Sequence, residues 1–499
     1  MLGRSFSSAG RVLLALLLLI AVAATPATAK PRKVGLHFGP RQYVDPELAG
    51  GEPLVLADNV HKTLIYTSHE GTTHLYQPGA EYPFDFRANY HNQDNIWWSD
   101  DDGHNWKRLD LADNPPSNTG FSDPDLTQDV GGRVYNTGID LVNDALFSSA
   151  DGGRKWDRGT AQCHEGDRPW LAGGKADEVF LATNSSADGH EVFRSTDGGN
   201  TCSDTGIPDD GKTADGIHYL GNGKLVYDAA NDQLVEPIAF TDANDKVLGL
   251  GTSTWHRGDS EFTPGAMIPT TMLAHWASIG IDKSGITYMT WDTDPRNDDS
   301  MGCGDTATGN SAPGSPLPNE IKLAYSLDYG RTWAPPITVA AGSANRVFWP
   351  WLVAGGAGRL AITWYATDRL ADMDCQASTV SIQSAHIFKA TVPEKRRIRT
   401  VDVSHGPVHV SSTVCQGGTT CVATGQDRRL GDFFTNALDP RGCELIASGD
   451  TTKPDPITGG PRPTALQVLF RQNAGRALFG RNRKCGPHTK GQHHGHHHH

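Results

Sequence analysis

The chain has 499 residues, 37% hydrophobic and 20% charged, with 56 Gly and 30 Pro. That many turn formers exclude a coiled coil or a long-helix protein, and the apolar content is too high for a disordered chain. The formal charge of -13, from 44 Lys plus Arg against 57 Asp plus Glu, excludes a general nucleic-acid binder, which needs a basic surface to neutralise phosphates.

Residues 1–29 read as an address. Arg4 and Arg11 form a positive start, Val12 to Ala24 is an apolar run, and Ala27-Thr28-Ala29 is an A-x-A cleavage site. Neither this run nor any later one reaches the roughly 18 apolar residues of a membrane helix. A secreted, extracellular protein starting at Lys30, with no integral membrane association, is the expectation.

From residue 52 onward the chain repeats itself, the signature of a propeller or solenoid. One repeat has the form x-Pro-x-Leu, a Gly turn, and an apolar alternation ending near an aromatic. Its copies start at Glu52-Pro53-Leu54, Asp123-Pro124-Asp125-Leu126 and Arg168-Pro169-Trp170-Leu171. They continue at Ile217-His218-Tyr219-Leu220, Trp276-Ala277-Ser278-Ile279, Trp349-Pro350-Trp351-Leu352 and Asp432-Phe433-Phe434. A second repeat, Ser-x-Asp-x-Gly-x-x-Trp, begins at Ser99, Ser149 and Ser326, and again at Ser195 with Cys202 in place of Trp. Each copy follows a strand-like apolar run, so it predicts a hairpin turn whose Asp accepts backbone N–H bonds and whose Gly takes φ > 0. Those carboxylates are consumed locally and are poor catalytic candidates. Long loops are expected at Tyr76 to Asn92, Thr293 to Pro318 and Cys375 to Thr420, all rich in turn formers.

The Ser-x-Asp-x-Gly-x-x-Trp pattern resembles the Asp box, or bacterial neuraminidase repeat, of the sialidase superfamily and other propellers. The resemblance implies an all-β fold, a β-propeller with Asp-box hairpins over residues 30–484. Seven copies imply seven blades, or six if the fourth copy is a loop hairpin. Residues 485–499 form a His-rich tail, either a purification tag or a natural metal-binding tract.

Eight cysteines, all beyond the leader, form an even set without the C-x-x-C spacing of a zinc ribbon and so predict disulfides. Proximity suggests Cys163 with Cys202 and Cys415 with Cys421.

In a propeller the inner strands gather one end of each blade around one opening. Aligning the copies on the residue before Pro places Asp432, Glu52, Asp123 and Arg168 on a polar arc, with Ile217, Trp276 and Trp349 opposite. Asp125, Asp167, Asp215, His218, His275, Arg346 and Arg428 or Arg429 lie next to them. Carboxylates for acid, base or nucleophile roles (Asp123, Glu52, Asp432), an Arg for an anionic group and rings for sugar stacking make a glycan-processing or glycan-binding cleft. The substrate-binding candidates are Arg168, Asp167, Trp276, Trp349, His275 and Arg346. No cofactor or metal is assigned, although the arc has enough carboxylate oxygens for Ca2+.

A catalytic sialidase also carries an arginine triad, a Tyr nucleophile paired with Glu, an Asp acid/base and an early Phe/Tyr-Arg-Ile-Pro motif. That motif is missing here. Arg168, Arg346, Arg369 and Arg428 are available for a triad and Tyr365 for a nucleophile, but the sialidase assignment is not carried over. Signatures of a G-x-S-x-G hydrolase, a zincin and a P-loop enzyme are absent. Arg257-Gly258-Asp259 is an RGD tripeptide, a cheap match. The sequence thus points to a secreted, monomeric propeller acting on glycans, a glycoside hydrolase or diverged relative. A non-catalytic extracellular propeller that binds a glycan or protein is the alternative.

Overall fold

The computed structural model describes residues 35–486, except 47, 49, 70–94, 110–121, 140–143, 158–159, 161–162, 164–165, 186–188, 204, 274–275, 296–316, 419–420, 422–425, 456–458, 463 and 481–482. The leader, His275, Cys303, the loop expected at Tyr76 to Asn92 and nearly all of the tail lie outside the described residues.

Apart from one turn of 3-10 helix, Pro393–Lys395, the described elements are strands. They form seven antiparallel sheets, one for each copy of the x-Pro-x-Leu repeat. The inner strands are Leu54–Asp58, Ser122–Gln128, Asp167–Gly173, the pair His218–Gly221 and Val226–Asp228, Ser278–Ile281, Val347–Ala354 and Thr435–Leu438. Each lies against the next, and the last lies against the first. The chain is a β-propeller. His37–Phe38 and Gln42–Tyr43, from the start of the chain, pair with Leu466–Ala474 of the last blade, so the two ends of the chain close the ring. Closure removes the open sheet edge that a linear array would leave.

The fourth copy lies in the largest sheet, with seven strands. One loop expectation is corrected. Residues 375–420 contain the strands Ser378–Phe388 and Arg397–Asp402 of the sixth blade. The alternation from Ser378 to Gln383, buried then half-buried, is a period of two that Ser and Gln obscure by composition.

Strand direction separates the two faces. Each inner strand starts at the mouth, the second returns, and the third runs away again, so the Ser-x-Asp-x-Gly turns lie on the face opposite the mouth. There the turns form as the sequence predicts. Ser99 Oγ donates to Asp101 (2.8 Å) and accepts from the Gly103 N–H (2.9 Å), while Asp101 accepts the Asn105 N–H (2.9 Å). The turns at Ser149, Ser195 and Ser326 repeat these bonds. Two turns also reach the first hairpin of the preceding blade: Thr63 donates to the Gly152 carbonyl (2.8 Å), and the Tyr329 hydroxyl donates to Asp228 (2.6 Å). Within the third blade the Gly198 N–H donates to the Asp177 carbonyl (2.9 Å). At Ser149 and Ser326 the turn is therefore also a clamp between blades.

Disulfides join Cys163 to Cys202, Cys415 to Cys421 and Cys443 to Cys485, and Cys375 is disulfide-bonded as well. No helix among the described residues is long and apolar enough to cross a membrane. The RGD tripeptide is structural, since Arg257 holds Glu178 (2.8 and 2.9 Å) and Asp232 (3.0 and 3.1 Å).

Candidate functional site

The residue before Pro has φ of 49° at Glu52, 52° at Asp123, 64° at Arg168 and 53° at Trp349. Non-glycine residues rarely occupy this region, and such strain persists only where the surroundings impose it. In the second, third and sixth blades the strand register shifts at this point. The repeated x-Pro thus bulges the start of the inner strand. In the seventh blade Gly431 takes φ of 75°, and a side chain there would strike Glu52.

The bulges of the first three blades and the seventh bring together Glu52, Asp123, Arg168 and Asp432, as the alignment predicts. Arg168 Nη1 lies 3.4 Å from Asp123 and 3.8 Å from Glu52, and its Nη2 pairs with Asp432. Arg428 grips Asp432 with both terminal nitrogens and stands 3.7 Å from Glu52. Asp432 also donates its N–H to Glu52 Oε1 (3.1 Å), and Ser122 donates to Asp123 (2.7 Å). Glu52, Asp123 and Asp432 are buried.

Electrostatics divides these acids. Burial, and then the charge of Asp123, push Glu52 from 4.5 up to about 7. Burial works the same way on Asp123, but Arg168, Ser122 and Arg428 outweigh it and hold that group below its ordinary value. Asp167, exposed at the rim, is raised by desolvation and by Asp123. A carboxylic acid beside a carboxylate, their pKa values driven apart, is the arrangement that lets one fold carry an acid and a base.

Beneath the charges lies an aromatic floor. The Arg168 guanidinium sits 4.4 Å over the ring of Trp276. Trp170, Trp276, Trp351 and Phe433 pack with centroids 5.1 to 6.0 Å apart. Trp276 remains half-buried.

Other candidates are used elsewhere. Trp349 is buried against Phe348 and Tyr365, and its indole N–H donates to Gln416 (2.9 Å). Its bulged backbone belongs to the ring, but its side chain packs between blades and offers no stacking face. Arg346 donates to the Leu317 carbonyl (2.5 Å), and Arg369 to that of Ala377. Of the four arginines considered for a triad, Arg168 and Arg428 meet at the mouth. Tyr365 is buried, bonded to Ser448 (2.7 Å) and stacked on Phe434. Asp125 lies deeper than its neighbours, where it accepts the Leu171 N–H (2.7 Å) and pairs with Lys224. That links the second, third and fourth blades.

Two guanidinium groups stand among the carboxylates where a cation would sit, and the described residues contain no cluster of three or more His, Cys, Asp or Glu suited to a metal.

Sequence reasoning missed His69. It follows the second strand of the first blade and closes on the cluster, where burial, and then Arg428, hold it neutral with a pKa of about 3. Asp374, against Gln416 (2.6 and 3.1 Å), was missed too; burial pushes it up to about 7. Neither belongs to a repeat, so periodicity carried no signal for them.

No family model matches the chain, and no curated protein does. Solved structures do. A protein of unknown function from Dyadobacter fermentans is 13% identical over 89% of this chain and 99% of that one, with a TM-score of 0.44. A polysaccharide lyase of family PL25, an ulvan lyase with a bound sugar, is 10% identical over 82% and 93%, with a TM-score of 0.43. The Trypanosoma rangeli sialidase with the inhibitor DANA is 10% identical over 88% and 55%, with a TM-score of 0.38. At such identities none of them assigns a role to a residue of this chain.

Proposed function

We propose that this chain is an exported, glycan-processing enzyme of the Asp-box propeller type, acting at the charged mouth. The observation that carries the reading is the buried pair of Glu52, protonated near neutral pH, and Asp123, held ionised by Arg168. Glu52 donates a proton to the departing sugar oxygen as the glycosidic bond breaks, and Asp123 accepts a proton from the water whose oxygen bonds to the freed anomeric carbon. Because both carboxyls flank one nitrogen of Arg168, they work as a single acid/base unit. Asp432, saturated by Arg168 and Arg428, positions those arginines and transfers no proton. The disulfides fit an extracellular setting.

The test is turnover by the mature chain from Lys30 on a panel of fluorogenic glycosides, a sialoside included. It is paired with absorbance detection of unsaturated sugars on uronate polysaccharides. Turnover that Glu52→Gln lowers by about 100-fold or more supports the reading; no turnover on any substrate by a folded protein overturns it. The second reading, a binding module, is favoured by one feature: Arg168, Arg428 and Asp432 are already paired with one another.

A further inference from the structure

The fourth blade departs from the others at its mouth end. A short extra strand, Asp210–Lys212, pairs with the inner strand His218–Gly221 and lies against the third-blade strand Gly189–Ser195. Between them is a cavity of about 410 Å³. Asn184, His190, Asp210, Lys212, His218 and Tyr219 line it, and Asp245 stands at its edge. Asn184 pairs in register with Asp167 of the mouth rim, so the cavity continues outward from the mouth.

One wall is built with unusual polar investment. His190, 3% exposed, is held on both ring nitrogens, by Asn184 Oδ1 (2.7 Å) and by Glu236 Oε1 (2.7 Å). Glu236 and Asp209 are wholly buried behind it, and Ser253 donates to Asp209. Burial pushes Glu236 up to about 8 and lowers His190. At neutral pH, therefore, the Glu236 hydroxyl donates to Nε2 and the Nδ1–H donates to Asn184. A side chain at Gly221 would collide with this pair. Burying acids and an imidazole costs free energy that an apolar wall would not. What the network achieves is to fix the Asn184 oxygen, leaving the NH2 group of this exposed residue for the cavity it lines.

The lining identifies the class of ligand. Two carboxylates, Asp210 and Asp245, against the single ammonium of Lys212 disfavour an acidic sugar. Carboxylate, amide and imidazole groups together suit the vicinal hydroxyls of a neutral one, and the volume admits a sugar unit. We propose that this cavity is a subsite for a neutral sugar unit of a longer glycan whose reacting end occupies the mouth. As a place for a unit remote from the chemistry, it rests on the mouth reading.

The test is calorimetric titration of the mature chain with di- and hexasaccharides of β-1,4-glucan, β-1,4-xylan, α-1,5-arabinan and β-1,4-galactan, beside an oligogalacturonate. At least one neutral hexasaccharide is expected to bind tenfold or more tighter than its disaccharide, with no such gain for the oligogalacturonate. Asn184→Trp, which fills the cavity, and the double variant Asn184→Ala His218→Ala should abolish the gain while circular dichroism shows each still folded at the assay temperature, whereas Glu52→Gln should keep it. No gain for any neutral hexasaccharide, or a gain that survives in Asn184→Trp, overturns the proposal. If turnover is absent while the cavity variants still lose the gain, the mouth reading fails and the sugar site stands. If turnover is present without any gain, the cavity proposal alone fails.

Discussion

The two faces of the propeller use the same side chain in opposite ways. On the turn face Asp101 feels desolvation as the largest single effect, but the Asn105 N–H and side-chain amide and the Ser99 hydroxyl, all donating to it, together outweigh that and hold it at about 2. At the mouth Glu52 is buried beside Asp123 and rises to about 7. An acid whose partners are N–H and O–H donors within its own turn is structural. One that is buried beside another acid keeps its proton up to near neutral pH.

Removing the mouth's counter-charge should have the largest effect. Arg168→Ala leaves Glu52, Asp123 and Asp432 facing one another, and the expected loss is about 3 kcal/mol in urea denaturation, as for a broken buried pair. Asp328→Ala, by contrast, removes hydrogen bonds worth about 1 kcal/mol and should leave any turnover unchanged. If the two substitutions cost the same, the distinction between the faces is wrong.

Glu52→Gln sharpens it from the other side. Turnover should fall by about 100-fold or more while Tm, followed by circular dichroism, changes little.

The pH dependence of stability should also differ by face. The folded pKa of Glu52 lies above its ordinary 4.5, so its contribution is full below about 4.5 and is lost as the pH rises through about 7. Denaturation at pH 5 and pH 7.5 should show the wild type losing stability relative to Glu52→Gln over that interval. Asp101 has the opposite sign: its contribution is present above 3.8 and lost as the pH falls through about 2, a loss that Asp101→Asn should remove.

The smallest expected effect is at the aromatic floor. Trp276→Leu removes the ring under Arg168 and should cost roughly 1 to 2 kcal/mol, with no change in the pH profile.

What could be read from the chain itself was whatever repeats. The x-Pro-x-Leu and Ser-x-Asp-x-Gly copies determined the blades, the turns and the meeting of Glu52, Asp123, Arg168 and Asp432, because each is a local device recurring at equivalent points of a ring. Two disulfides, Cys163 to Cys202 and Cys415 to Cys421, followed from proximity, whereas the link from Cys443 to Cys485 needed the fold. Only the tertiary structure decided that Trp349 turns its ring into the core, that Asp125 belongs to a buried pair with Lys224, that Arg428 rather than Arg429 pairs with Asp432, and that His69 closes on the mouth. Only the fold, too, placed His190 of the third blade against Glu236 of the fourth. The physical reason is that a side chain's protonation and role depend on which charges and how much water surround it. In a propeller those neighbours come from adjacent blades, often scores of residues away or from the other end of the chain, as with Glu52 and Asp432.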